Sequence, residues 1–156
     1  MHKIPQITIY ARHAGVAITP HERRSAGKPT EGRILLRFFR LESGSSAIRF
    51  ILEPAEAFAL YRKIQRIAKD GGQESLNHTF SGPEGEVQTR LKVECWTRND
   101  KSGYALAVQR GEEQLNVPVP SDQFLYAAEF LRHLSLRQAW VEEVARAAGE
   151  NRDAAA

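Results

Sequence analysis

The stretch Arg90-Leu91-Lys92-Val93-Glu94-Cys95-Trp96-Thr97-Arg98 alternates with a period of two. Successive side chains of a pleated strand point to opposite faces. Arg90, Lys92, Glu94, Trp96 and Arg98 therefore share one face, while Thr89, Leu91, Val93, Cys95 and Thr97 share the other. Turning Trp96 into a core would bury Arg90 and Lys92 with it, unless a bulge intervened. The pattern predicts a half-buried strand whose outer face offers cations and a flat ring. Cations suit phosphates and an aromatic ring suits an unstacked base, so this face points to a single-stranded nucleic acid.

The same alternation recurs upstream. Ile4 to Arg12 reads as a strand with Ile7 and Ile9 on one face and Thr8, Tyr10 and Arg12 on the other. Arg33 to Leu41 places Ile34, Leu36 and Phe38 inward and Arg33, Leu35, Arg37 and Phe39 outward. Across the turn at residues 42–46, Ala47 to Glu53 places Ile48, Phe50 and Leu52 inward and Arg49 outward. Between the first two strands, Thr19 to Gly32 carries two prolines, two glycines and the run His21-Glu22-Arg23-Arg24. It reads as a mobile basic loop, either a phosphate-contacting arm or a solvated connector.

Pro54 suits the first turn of a helix in which Ala57, Leu60, Tyr61, Ile64, Ile67 and Ala68 recur at helical spacing until Gly71-Gly72. After a turn near Gly82-Pro83-Glu84-Gly85, three strands are expected over Val87 to Arg98, Tyr104 to Arg110 and Gln114 to Val119. A second helix then opens at Pro120-Ser121-Asp122 and buries Phe124, Ala128, Leu131 and Leu134, with Leu125 and Ala127 close to the seam. The two strand-to-helix junctions align with an offset of 66, pairing Pro54 with Pro120, Glu56 with Asp122, Phe58 with Phe124 and Ile64 with Phe130. The expected fold is thus α+β: an antiparallel sheet backed by helices, built from two β-β-β-α units starting at Ile4 and Val87. Ser135 reads as the N-cap of a C-terminal helix carrying Leu136, Ala139, Trp140 and Val144. Residues 1–148 are expected to form a single nucleic-acid-binding domain and 149–156 a frayed tail.

Composition sets the bounds. At 156 residues and 42% hydrophobic content, the chain is long enough for one domain with a real core. The net charge of +3 is uneven: residues 1–69 hold 13 Lys and Arg against 5 Asp and Glu, and the rest hold 9 against 14. A basic half of this kind suits a polyanionic partner. Cys95 is the one cysteine, which rules out an intrachain disulfide and fits an intracellular, cytoplasmic setting. Its core-facing parity reads as packing rather than nucleophilic chemistry. No apolar leader or membrane-length apolar run is found, and the five histidines (His2, His13, His21, His78, His133) are scattered rather than set at metal-ligand spacing. No metal, cofactor or enzymatic activity is expected. The candidate nucleic-acid-binding residues are Tyr10, Arg12, Arg37, Phe39, Arg49, Arg90, Lys92, Trp96 and Arg98. If their strands lie in one sheet, these side chains merge into one basic, aromatic groove. The rival reading makes the same face a protein–protein interface.

At Arg90 to Trp96, Tyr104 to Arg110, Asn116-Val117-Pro118-Val119-Pro120 and Phe124 to Leu131, the chain resembles the ThermoDBP-related archaeal single-stranded DNA-binding proteins. The resemblance covers most of residues 33–143. It implies an α+β domain that binds single-stranded DNA or RNA, works as a homo-oligomer and uses Arg37, Phe39, Arg90, Lys92, Trp96 and Arg98. ThermoDBP itself has a long C-terminal leucine zipper, whereas here only Val141 and Val144 follow Trp140 before the alanines. An oligomer would then use sheet edges or the stripe around Trp140. The tandem units are also similar, more loosely, to Whirly-type single-strand binders.

Overall fold

The computed structural model describes residues 1–42 and 46–143. Its elements run β1 (Ile7–Tyr10), β2 (Ala14–Arg23), β3 (Glu31–Arg40), β4 (Ile48–Leu52), α1 (Pro54–Asp70), β5 (Gln73–Gly82), β6 (Gly85–Arg98), β7 (Lys101–Arg110), β8 (Glu113–Val119) and α2 (Ser121–Arg137). The class is the expected one, α+β with antiparallel sheets backed by helices and α2 as the C-terminal helix of the described residues. Each unit, however, has four strands before its helix. The strands form two sheets, ordered β1-β2-β3-β4 and β5-β6-β7-β8.

The strand added to the first unit is β2, which takes up the start of the expected loop, while β3 takes up its end. Val16 and Ile18 alternate into the core, and β2 pairs with β3 from Ala14↔Arg40 to Arg23↔Glu31. Pro20 is tolerated because β1 pairs only as far as Ile18, leaving β2 an open edge beyond it. Only residues 24–30 remain as a turn. The strand added to the second unit is β5, whose few apolar side chains hide it from patterning; ten register pairs with β6 hold it in place.

Elsewhere the inward parity is as expected. Ile34, Leu36, Phe38, Ile48, Phe50 and Leu52 are buried in one sheet, and Leu91, Val93, Leu106, Val108, Leu115 and Val117 in the other. Both inner faces share one apolar cluster with α1 and α2, which also pack on each other. α1 buries Ala57, Leu60, Ile64 and Ile67, and α2 buries Phe124, Ala127, Leu131 and Leu134. These positions correspond at an offset of 67, not 66. Phe58 is accordingly 39% exposed while Phe124 is buried, and Leu125 is exposed rather than at the seam. No helix is long and apolar enough to cross a membrane.

Ser135 lies inside α2 and is buried, its hydroxyl donating to the Arg132 carbonyl at 2.6 Å, so it caps no further helix. Beyond α2 the chain becomes a strap. Gln138 Nε2 donates to the His21 and Arg33 carbonyls at 2.8 and 3.0 Å, Gly32 N–H to the Trp140 carbonyl at 3.0 Å, and Val141 bridges Glu31. Trp140 is therefore committed within the chain, against Gly32. Val144 and the expected tail lie outside the described residues.

Gly32 is required by this contact, since a Cβ there would stand 2.0 Å from the Gln138 carbonyl oxygen. Gly32→Ala should cost about 1–3 kcal/mol of stability by forcing the strap off the hairpin. Denaturant unfolding measures it, and an unchanged midpoint would show that the strap contributes nothing.

Candidate nucleic-acid interface

On the outer face of the first sheet, register builds rows of side chains across the strands. Tyr10, Gly15 and Phe39 form one row, and Thr8, Ala17, Arg37 and Arg49 the next. Phe39 lies across Gly15, where a Cβ would meet its ring at 2.6 Å. The absent side chain lets the aromatic ring lie down on the sheet instead of standing off it. Tyr10, 65% exposed, meets Phe39 edge-on at 6.0 Å, and the Arg37 guanidinium sits 4.9 Å from the Phe39 centroid.

The second sheet repeats the device with the partners exchanged. Trp96 on β6 lies over Gly103 on β7, where a Cβ would approach the indole to 2.5 Å. Its Nε1–H donates to the Tyr104 carbonyl at 3.2 Å. Trp96 is half-buried: it stays on the outer parity predicted for it, yet is anchored to its own sheet. Tyr104 points inward, stacks on Phe124 with centroids 4.3 Å apart and donates its hydroxyl to the Ala68 carbonyl at 3.3 Å.

The expectation of a single groove needs correction, because two sheets present two outer faces. They meet at a cleft of about 690 Å³, to which β1 brings Tyr10, β6 brings Trp96 and the end of β8 brings Pro118, with Arg12 just beyond β1. The cleft thus unites Tyr10, Arg12 and Trp96. Arg37, Phe39 and Arg49 lie on the first face, continuous with Tyr10. Arg90 and Lys92 lie on the second face, and Arg98 is exposed at the far end of β6. Patterning alone misses Gly15, Gly103 and Pro118, since their part emerges only once the cross-strand register is known.

The electrostatics separate these cations into two groups. Around the β2–β3 turn, Arg23 and Arg33 pair with Glu31 at 3.2 and 2.7 Å, and Arg24 pairs with Glu22. The hydrogen bond from Arg33 holds the Glu31 carboxyl below its usual range. Lys92 sits 3.5 Å from Glu94. Among the described residues, Arg12, Arg37, Arg49, Arg90 and Arg98 enter no ion pair. Arg37 and Arg49 are direct cross-strand partners, a like-charge pairing that is unfavourable until an anion joins it. Nor do the described residues contain a cluster of three or more metal-ligating side chains.

No family model matches the chain, and no curated protein matches it. Solved structures do. The plant transcriptional regulator PBF-2 aligns over 88% of this chain and 84% of its own, at 19% identity and a TM-score of 0.58. WHY1 from Arabidopsis thaliana aligns over 88% and 86% at 18% identity and 0.55, and WHY3 from the same plant over 88% and 90% at 19% and 0.53. At these identities the likeness is one of fold.

His21 lies in the same outer row as Arg33. Burial, then the charge of Arg49, lowers its pKa below the ordinary histidine value, against a smaller opposite pull from Glu22. The fold thus disfavours imidazolium, and the stability His21 contributes above the ordinary value is lost as pH falls through its folded pKa. In an NMR titration, Arg49→Gln should move the His21 pKa upward. An unmoved titration would show that Arg49 does not act on it.

Proposed function

We propose that this protein binds single-stranded DNA or RNA with little sequence preference through its outer sheet faces, and shields exposed single strands inside the cell. The observation that carries the reading is the Arg37–Arg49 pair, two arginines in register across β3 and β4 with no carboxylate partner among the described residues, beside the Phe39 and Tyr10 rings. Phosphates relieve the repulsion of the first pair, and unstacked bases find flat surfaces on the second. Tyr10, Arg12 and Trp96 extend the same chemistry into the cleft between the sheets.

Two likenesses support it. The resemblance to ThermoDBP-related proteins implies a ligand-binding part for Arg90, Lys92 and Trp96, and the tandem-unit likeness to Whirly-type binders agrees with the fold held in common with WHY1 and WHY3. On this reading the protein works by binding and catalyses no reaction.

A protein contact has its own place on the molecule. Phe58, Leu125 and Tyr126 are 39%, 47% and 62% exposed on the two helices, away from the outer sheet faces. With Trp140 occupied within the chain, these side chains are the better candidates for a homo-oligomer interface, leaving the sheet faces to the nucleic acid.

Trp96→Ala should weaken oligothymidine binding by about 1–3 kcal/mol, with circular dichroism confirming the fold. Arg37→Ala should reduce the slope of log K against log salt by about one. Both are read by fluorescence anisotropy. Unchanged affinity in Trp96→Ala together with an unchanged salt slope in Arg37→Ala would reject the reading.

A further inference from the structure

The two outer faces differ in chemistry. The first carries rings, aliphatic side chains and arginines. The second is an array of amides around Arg90 and Lys92, with Asn77, Arg90, Gln109 and Gln114 in one cross-strand row and Ser75, Lys92, Ala107 and Asn116 in the next. Ala107 is the one apolar member of these two rows. Its methyl group stops short among longer neighbours and leaves a hollow of about 150 Å³, bordered by Gln73, Arg90, Lys92, Gln109 and Gln114. A cavity of roughly that size takes one aromatic ring.

We infer that this hollow receives a single nucleobase and prefers guanine. The inference rests on the single-strand reading above and refines it, adding one base-reading position to an otherwise sequence-neutral surface.

The donor set carries the choice. Arg90 Nε–H donates to Ser75 Oγ at 3.1 Å, which fixes the guanidinium while its terminal N–H groups make no hydrogen bond within the described residues. Lys92 adds a second cationic donor, shared with Glu94. Gln109 Nε2 makes only a long contact, 3.4 Å, to the Gly111 carbonyl and is readily redirected. Guanine presents two adjacent acceptors, O6 and N7, to such cations, and its N1–H and N2–H groups are donors that amide oxygens accept. Adenine would set its N6–H donors against the same cations. Thymine and cytosine lack the N7 acceptor that makes the guanidinium contact bidentate.

The test uses oligothymidines of equal length carrying one central guanine, one central adenine or neither; a single guanine cannot build a quadruplex. Anisotropy titrations of the wild-type protein should show the guanine oligomer bound about tenfold more tightly than the other two. Ala107→Leu, which fills the hollow, should abolish that preference, and Gln109→Leu, which removes the amide but leaves Arg90 and Lys92, should reduce it, each leaving oligothymidine affinity within about twofold. Equal binding of all three oligomers by the wild type overturns the inference and leaves the single-strand reading standing. A guanine preference that survives both substitutions also overturns it, because the base is then read elsewhere. Failure to bind any oligomer overturns both readings.

Discussion

In β3, Arg37 and Phe39 face outward only while Ile34, Leu36 and Phe38 stay in the core, and the pairing with β2 and β4 holds them there. A slip of one residue would exchange the two sets, burying guanidinium groups and exposing three large apolar side chains. Each buried side chain of that kind stabilises the native register by about 1.5–3 kcal/mol, so the outer face is specified by the inner one. The chemistry offered to a ligand is therefore a by-product of core packing, and it is rigid for the same reason.

Glycine completes the arrangement at two points. Gly15 under Phe39 and Gly103 under Trp96 let a ring lie against its own sheet. A ring held this way is fixed against its own backbone, with Phe39 also bordered by the Arg37 guanidinium, and it gives up little conformational freedom when a ligand joins it. Because the glycine sits on β2 in one sheet and on β7 in the other, the two units reach the same device by different strands. The shared apolar cluster and the packed helices then tie both sheets into one body, with the Tyr10–Trp96 cleft where they meet.

Much of this is legible in the amino-acid sequence. β3, β4, α1, β6, β7 and β8 are readable because each alternates or repeats against a one-sided core, and the outward parity of Arg37, Phe39, Arg90 and Trp96 follows from it. β2 and β5 are not. β2 carries Pro20 and a polar end that resemble a loop, and β5 has little apolar content, so both are set by pairing with a neighbour rather than by their own pattern. The helix correspondence is out by one residue because it aligns prolines and aromatic rings rather than buried stripes. The strap is invisible to patterning, since backbone and amide hydrogen bonds hold it far from its partners in sequence. Of the candidate site, each residue's outward face is readable, whereas its division between two faces and a cleft depends on how the strands partition into sheets.

Mapping amide and side-chain chemical shifts while oligothymidine is titrated into the isotopically labelled protein tests the central claim most directly. The account predicts that the shifts concentrate on Tyr10, Arg12, Arg37, Phe39 and Trp96, with α1 and α2 silent. Shifts confined to Phe58, Leu125 and Tyr126 on the helices, or none at saturating oligomer, would contradict it.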